Sequence, residues 1–499
     1  MEEKLTQLKS IMAEIADLKY ISAVLGWDQQ TYMPAGGAEG RGHQIALLER
    51  LAHERSASPE LGRLLDDLKP YAASVDPDSD DARMIKVISR LYARETRIPS
   101  RHVVEFNEAI TLGYQAWVEA RHKSDFSMFR PHLERIVELR KEYASFFPEC
   151  AHPYDALLDY FEPGMKTAEV KAIFDGLRPK QVELIKAIAD RPQVDDSFLH
   201  QPFDEQKQWV FGEMVITQFG YDWNRGRQDK TAHPFTTSFS FGDVRITTRV
   251  DPEFLNSMLF GTMHECGHAL YDAGVNPTYE RTSLGQAASY AVHESQSRMW
   301  ENLVGRSLPF WQHFYPRLQE TFPQLAGVSL DKFYKGINRV QPSLIRVEAD
   351  EATYNLHIML RFEIEVALFE GKVAAKDLPD LWNTTVKEYL GITPPDDAKG
   401  VLQDVHWSSG LMGYFPTYAL GNLISAQMWE KINQDIPNLT DQICAGKFSA
   451  LLGWLREKVH RYGAKFEPQE LVQKATGSRI DPAAYVRYLT KKFSEIYGL

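Results

Sequence analysis

Residues 235–274 constrain the fold more tightly than any other stretch of the chain. The segment FTTSFSFGDVRITTRV (235–250) alternates with period two, is rich in Thr, Phe and Val, and turns at Gly242-Asp243. That pattern predicts a β-hairpin. It runs directly into DPEFLNSMLFGTMHECGHALYDAG (251–274). There Asp251 suits an N-cap, Pro252 the first helical position, Glu253 the positive end of the helix dipole and Gly274 the C-terminal cap. The spacing predicts a helix of about six turns beginning where the hairpin ends.

Elsewhere helical periodicity dominates. Leu5, Leu8, Met12, Ile15 and Leu18 step at three and four residues along one face. Residues 28–42, with Pro34 and four glycines, read as a loop, and 41–54, 81–94 and 105–143 return to helical spacing. No repeat, low-complexity tract or flexible linker divides the 499 residues. The expectation is therefore one mainly α unit, with a helical N-terminal region at 1–230 and the chemistry concentrated in 231–430.

With 43% hydrophobic residues the chain can build a large core. A net charge of −12 argues against nonspecific binding to nucleic acid or an anionic membrane surface. The N-terminal MEEKLTQLKS lacks the basic start and apolar run of a secretory signal, and no apolar stretch approaches 18 residues. Three scattered cysteines (Cys150, Cys266, Cys444) fit reduced thiols in a cytoplasmic protein.

In the helix at 251–274, His264 and His268 are four residues apart and project from one face, about 6 Å apart along the axis. Two imidazoles so placed can reach one zinc ion at about 2.0–2.1 Å. Glu265 beside them can take a proton from an attacking water. A catalytic zinc needs a third protein ligand and an open position. Tyr271 and Gly274 stand where a metzincin continuation would need Gly and His, so that ligand must come from elsewhere. The helix expected at SYAVHESQSRMWENLV (289–304) offers His293, Glu294 and Glu301. Neighbours on a helix diverge by about 100°, so His293 and Glu294 cannot both face the metal. Glu294 is favoured, with His293 beside the site. Asp272, one turn beyond His268, opposes the helix dipole and could compensate by orienting His268. Cys266 points away and reads as core.

These residues resemble the thermostable carboxypeptidase family of the Taq type. The resemblance is carried by DVRIT (243–247), HECGH (264–268), HESQ (293–296), IRVEAD (345–350) and GVLQDVHW (400–407), with LGWDQQTYMP (25–34) as a sixth block. It implies an elongated, all-helical HEXXH zincin, neurolysin-like, with a small β-hairpin beside a deep groove. It implies a metal-dependent, broad-specificity enzyme that removes single residues from peptide C-termini, commonly as a homodimer. Carried over by position, His264, His268 and Glu294 are the ligands and Glu265 the base; cobalt could replace zinc.

The remaining blocks supply candidates for holding peptide. Asp243, Arg245 and Thr247 share one face of a strand, and an edge strand beside the metal helix can pair with an extended peptide. In a helix expected after Pro342, Arg346, Asp350, Tyr354 and His357 form a polar stripe. Arg346 is the leading partner for a substrate carboxylate and Arg245 the runner-up. His406, Tyr414 and Tyr418 are candidate donors to the oxyanion. Two alternatives remain open: an oligopeptidase cutting internal bonds of short peptides, and a noncatalytic helical scaffold stabilised by metal. Glu265 speaks against the scaffold, because a structural zinc needs no base.

Overall fold

The computed structural model describes residues 1–499 and is mainly helical, with one three-stranded sheet. A core of 101 buried residues spans the body. A separate core of 16 unites Leu5, Leu8, Ile11 and Ile15 with Leu61, Leu64, Leu68, Ile85 and Ile88 from neighbouring N-terminal helices. No helix is long and apolar enough to cross a membrane.

Tertiary contacts override local propensity in several places. The loop expected at 28–42 shrinks to a short turn, because helices span Glu2–Thr31 and Ala38–Ser56. Arg41 reaches back from the second helix, donating to the Leu25 carbonyl at 2.6 Å and to Asp28 at 2.7 Å, and so closes the end of the first. The single helix expected over 105–143 is two, Ser100–Lys123 and Phe126–Ser145. Ser124 between them takes a left-handed conformation at φ 52°, and Asp125 caps the second through the Ser127 N–H.

The sheet holds β1 (Gln228–Lys230), β2 (Thr236–Ser240) and β3 (Asp243–Thr248) in the order β1–β3–β2. The hairpin β2–β3 is antiparallel, and β1, which the sequence pattern does not announce, pairs parallel to β3. DVRIT is therefore the central strand and β2 forms an edge.

After the sheet comes the helix Leu255–Asp272, termed here the histidine helix. It starts three residues later than the cap residues predict. The Asp251 carbonyl accepts from Gln208 and the Pro252 carbonyl from the Phe203 N–H, so 251–254 stays a turn; the Asp251 side chain caps only the Glu253 N–H. The next helix, Tyr290–Arg298, continues as a π-helical segment, Met299–Val304, to Gly305. It is termed the glutamate helix. Ser289 caps it through the Val292 N–H. The helix expected after Pro342 begins only at Tyr354, because Arg346–Glu348 is a single 3-10 turn. Asp350 takes the Ala352 and Thr353 N–H groups and that of Gln341, fixing this segment as a loop.

Candidate metal centre

The histidine and glutamate helices meet where Gly267 faces the backbone of Gln296 and Ser297: a Cβ there would lie 2.6 Å from both the Gln296 carbonyl and the Ser297 Cα. This close approach brings three ligand atoms together. The Nε2 atoms of His264 and His268 lie 3.6 Å and 3.5 Å from one Glu294 oxygen. Donor atoms from all three residues fall within 4.8 Å of one another. Bonds of about 2.0–2.1 Å in tetrahedral array put donors roughly 3.3 Å apart, so the spacing and the two-nitrogen, one-carboxylate set both fit zinc. Magnesium prefers an all-oxygen octahedron.

The charges suit cation binding. Burial works against the Glu294 carboxylate, but Arg298 and then His264 hold its pKa well below the usual range. Burial and the neighbouring His293 push the His268 ring down to about 3, leaving it neutral with a free lone pair. Burial also depresses His264, yet Glu294 and Glu301 raise it further, so proton and metal compete for that ring.

A second layer holds these three side chains. Glu301 lies 2.9 Å from His264 Nδ1. Arg298 donates from Nε to Glu294 at 2.7 Å and from a terminal nitrogen to Glu301 at 3.0 Å, so one cation fixes both acids. Glu301 thus stands behind His264, and Arg298, which sequence reasoning overlooked, was signalled by its i+4 spacing from Glu294. Asp272 takes a different partner from the one expected. It accepts from His293 Nε2 at 2.9 Å and from Ser238, while the His293 ring stacks on His268 at 4.3 Å. Asp272 therefore gives its hydrogen bonds to His293 and Ser238 rather than to His268.

Glu265 is 6% exposed, and its pKa is raised by that burial. The Thr236 hydroxyl donates to its carboxylate at 2.7 Å. Strand β2 thus touches the site twice, through Thr236 at Glu265 and Ser238 at Asp272. Asp243, Arg245 and Thr247 occupy the opposite face, because Thr237 pairs with Arg245 while Thr236 pairs with Ile246. Arg245 makes a two-pronged contact with Asp243, both arms 2.8 Å, and lies over the Trp27 and Phe239 rings. Thr247 is wholly buried and accepts from the Phe235 N–H. DVRIT is not the edge strand expected beside the metal: β3 is central, and these three side chains tie the hairpin to itself and to the N-terminal helix.

Arg346 does not lie on a helical stripe and does not pair with Asp350. It donates to Asp404 from two nitrogens, at 3.1 and 2.8 Å, and to the Tyr354 hydroxyl at 2.9 Å. The fully buried Arg361 also binds Asp404, at 2.6 Å from Nε. Two arginines thus share one carboxylate. His406 and His357 add no charge, because burial pushes them down to about 4 and about 3. The cluster carries one surplus positive charge. It adjoins the ligand layer: Arg298 lies 4.9 Å over the Tyr354 ring, and the Tyr418 ring stands 5.0 Å from the Arg346 guanidinium. His406 Nε2 is 3.4 Å from the Tyr418 hydroxyl, and the Tyr414 and Tyr418 rings are 5.2 Å apart. Burial raises both phenols, Tyr414 to about 12, and Glu294 adds to each shift. Both hydroxyls keep their protons at neutral pH.

The chain has known relatives. The family model for carboxypeptidase Taq (M32) metallopeptidases matches residues 7–493. Thermostable carboxypeptidase 1 of Thermus thermophilus is 42% identical over 505 residues, covering 98% of each chain. Carboxypeptidase 1 of Bacillus subtilis is 39% identical over 491 residues, again with 98% of each chain covered. The crystal structure of an M32 carboxypeptidase from Deinococcus radiodurans superposes with a TM-score of 0.96 at 42% identity, over 100% of both chains.

Proposed function

Because the chain belongs to the carboxypeptidase Taq (M32) metallopeptidase family, and so is a metal-dependent carboxypeptidase, we propose that its metal is zinc, held by His264, His268 and Glu294, with Glu265 as the base. A divalent ion there supplies Lewis acidity, polarising the scissile carbonyl and acidifying a water. Glu265 accepts the proton of that water and hands it to the leaving amine. The Thr236 hydroxyl keeps the carboxylate aimed without neutralising it. Tyr414 and Tyr418, as protonated donors beside Glu294, stabilise the developing oxyanion, with His406 orienting Tyr418. The free edge of β2, rather than β3, is the strand positioned to pair with an extended peptide.

The observation that carries the exopeptidase register is the surplus charge at Arg346, Arg361 and Asp404. A buried net charge is costly unless a counter-charge arrives, and a peptide's terminal carboxylate is such a counter-charge. Arg346 can present its planar fork to it while Arg361 retains Asp404. The test compares matched peptides with free and amidated C-termini. The parent should cleave the free peptide far better. Arg346→Ala should lose about 10- to 100-fold in kcat/KM on the free peptide and little on the amide. Equal cleavage of both by the parent would overturn this anchor.

A homodimer is proposed as well. The helix Ser100–Lys123 exposes Val104, Leu112, Tyr114 and Val118, an apolar surface suited to a second copy. Light scattering of the purified protein decides it. Three unpaired cysteines support a cytoplasmic setting.

A further inference from the structure

A cavity of about 30 Å³ lies between the helix Asp80–Arg97, the segment 464–467 and Ala288, the residue just before the cap of the glutamate helix. Its lining is strongly cationic: Arg83, Lys86, Arg90 and Lys465 face it, against the single acid Glu467. Three of these cations have acidic partners: Arg83 has Asp78 and Glu470, Lys86 has Glu467 at 2.9 Å, and Lys465 has Asp80 at 2.6 Å. Arg90 contacts no acid. The Nε–H groups of both Arg83 and Arg90 are buried without any acceptor, although Arg83 as a residue is only 8% exposed. Buried guanidinium donors are ordinarily satisfied. Arg83 and Arg90 both line the cavity, and an orphaned donor on each calls for a missing acceptor with several oxygens. About 10–15 Å³ admits one water, so this space takes more than one water, or one small tetrahedral anion.

We propose that this cavity binds a free tetrahedral oxoanion, of the phosphate or sulfate class. Its oxygens accept from Arg83 Nε and Arg90, with Lys86 and Lys465 adding charge. Arg90 is the determinant, since the other cations are already paired. Bound there, the anion bridges the N-terminal helices to the body at the foot of the helix carrying Glu294. None of the cationic residues belongs to the metal or substrate machinery described above.

Isothermal titration of the metal-loaded enzyme with inorganic phosphate at constant ionic strength tests the proposal. One phosphate should bind per chain, sulfate should compete, and chloride at equal ionic strength should not. Arg90→Gln should weaken binding at least ten-fold while leaving peptide turnover in phosphate-free buffer unchanged. Its melting temperature there should equal or exceed the parent's, because an uncompensated cation is gone. If Arg90→Gln folds poorly, Lys86→Gln serves in its place, with a several-fold loss expected. No saturable phosphate binding would overturn the site. So would equal displacement by chloride, or binding untouched by either substitution, the last of which would place the phosphate at the metal instead.

Discussion

Glu301 Oε2 lies 2.9 Å from Nδ1 of His264, on the opposite side of the ring from the Nε2 that faces Glu294. That contact fixes the tautomer: Nδ1 carries the proton and Nε2 is left bare for a metal. Glu301→Gln keeps the shape but replaces an anionic acceptor with a neutral one. Metal affinity should fall about 10- to 100-fold, read by competition with a chelator, while turnover at saturating metal changes far less. An unchanged affinity would remove Glu301 from the account.

Gly267 occupies one of the two variable positions between the histidines, and the structure gives it a purpose. A methyl group there would press on the Gln296 and Ser297 backbone at 2.6 Å, which cannot yield as a flexible side chain would. Gly267→Ala should destabilise the protein by about 1–3 kcal/mol and weaken metal binding, by separating the two helices. At Gly261, on the same helix, a Cβ meets only Thr248 Oγ1 at 3.9 Å, so Gly261→Ala should be tolerated. Melting curves of both variants, with and without metal, check this; equal behaviour of the two would contradict it.

The convergence of His264, His268 and Glu294 was legible because its pieces are local. His264, Glu265 and His268 sit on one helix whose periodicity and hairpin neighbour are plain in the residues, and Glu294 follows on the next helix. What the residues hid depends on partners distant in sequence. Pairing of β1 with β3 buries DVRIT in the sheet centre, and no pattern in 228–230 announces it. Arg346 looked helical because Arg346, Asp350 and Tyr354 are spaced at four. Asp350, however, spends its carboxylate on the Gln341, Ala352 and Thr353 amides, and Asp404, 58 residues on, takes the arginine. The Asp251-Pro252 cap failed for the same reason, with its carbonyls claimed by Phe203 and Gln208.

Glu162 gives a pH prediction. Its side chain is fully buried, accepts from the Ala291 N–H at 2.6 Å in the first turn of the glutamate helix, and has its pKa pushed up to about 8 by burial. A carboxyl raised above its unfolded value binds more protons folded than unfolded. Its stabilisation is therefore complete below the ordinary Glu pKa and is lost as pH rises towards 8. The loss is at most of order 5 kcal/mol, at about 1.4 kcal/mol per unit. Glu162→Gln keeps an acceptor for Ala291 and removes the titration. It should gain melting temperature relative to the parent at pH 8 and not at pH 5. A constant difference across that range would contradict the assignment.

In the proposed mechanism Glu265 does chemistry at a metal it does not hold, whereas Glu294 holds the metal. Metal content and kcat/KM measured side by side on Glu265→Gln and Glu294→Ala separate these two roles. Glu265→Gln should retain about one metal per chain and lose activity by roughly a thousand-fold or more, while Glu294→Ala should lose metal and activity together. Full turnover in Glu265→Gln, or a Glu294→Ala protein that keeps its metal, would contradict the account.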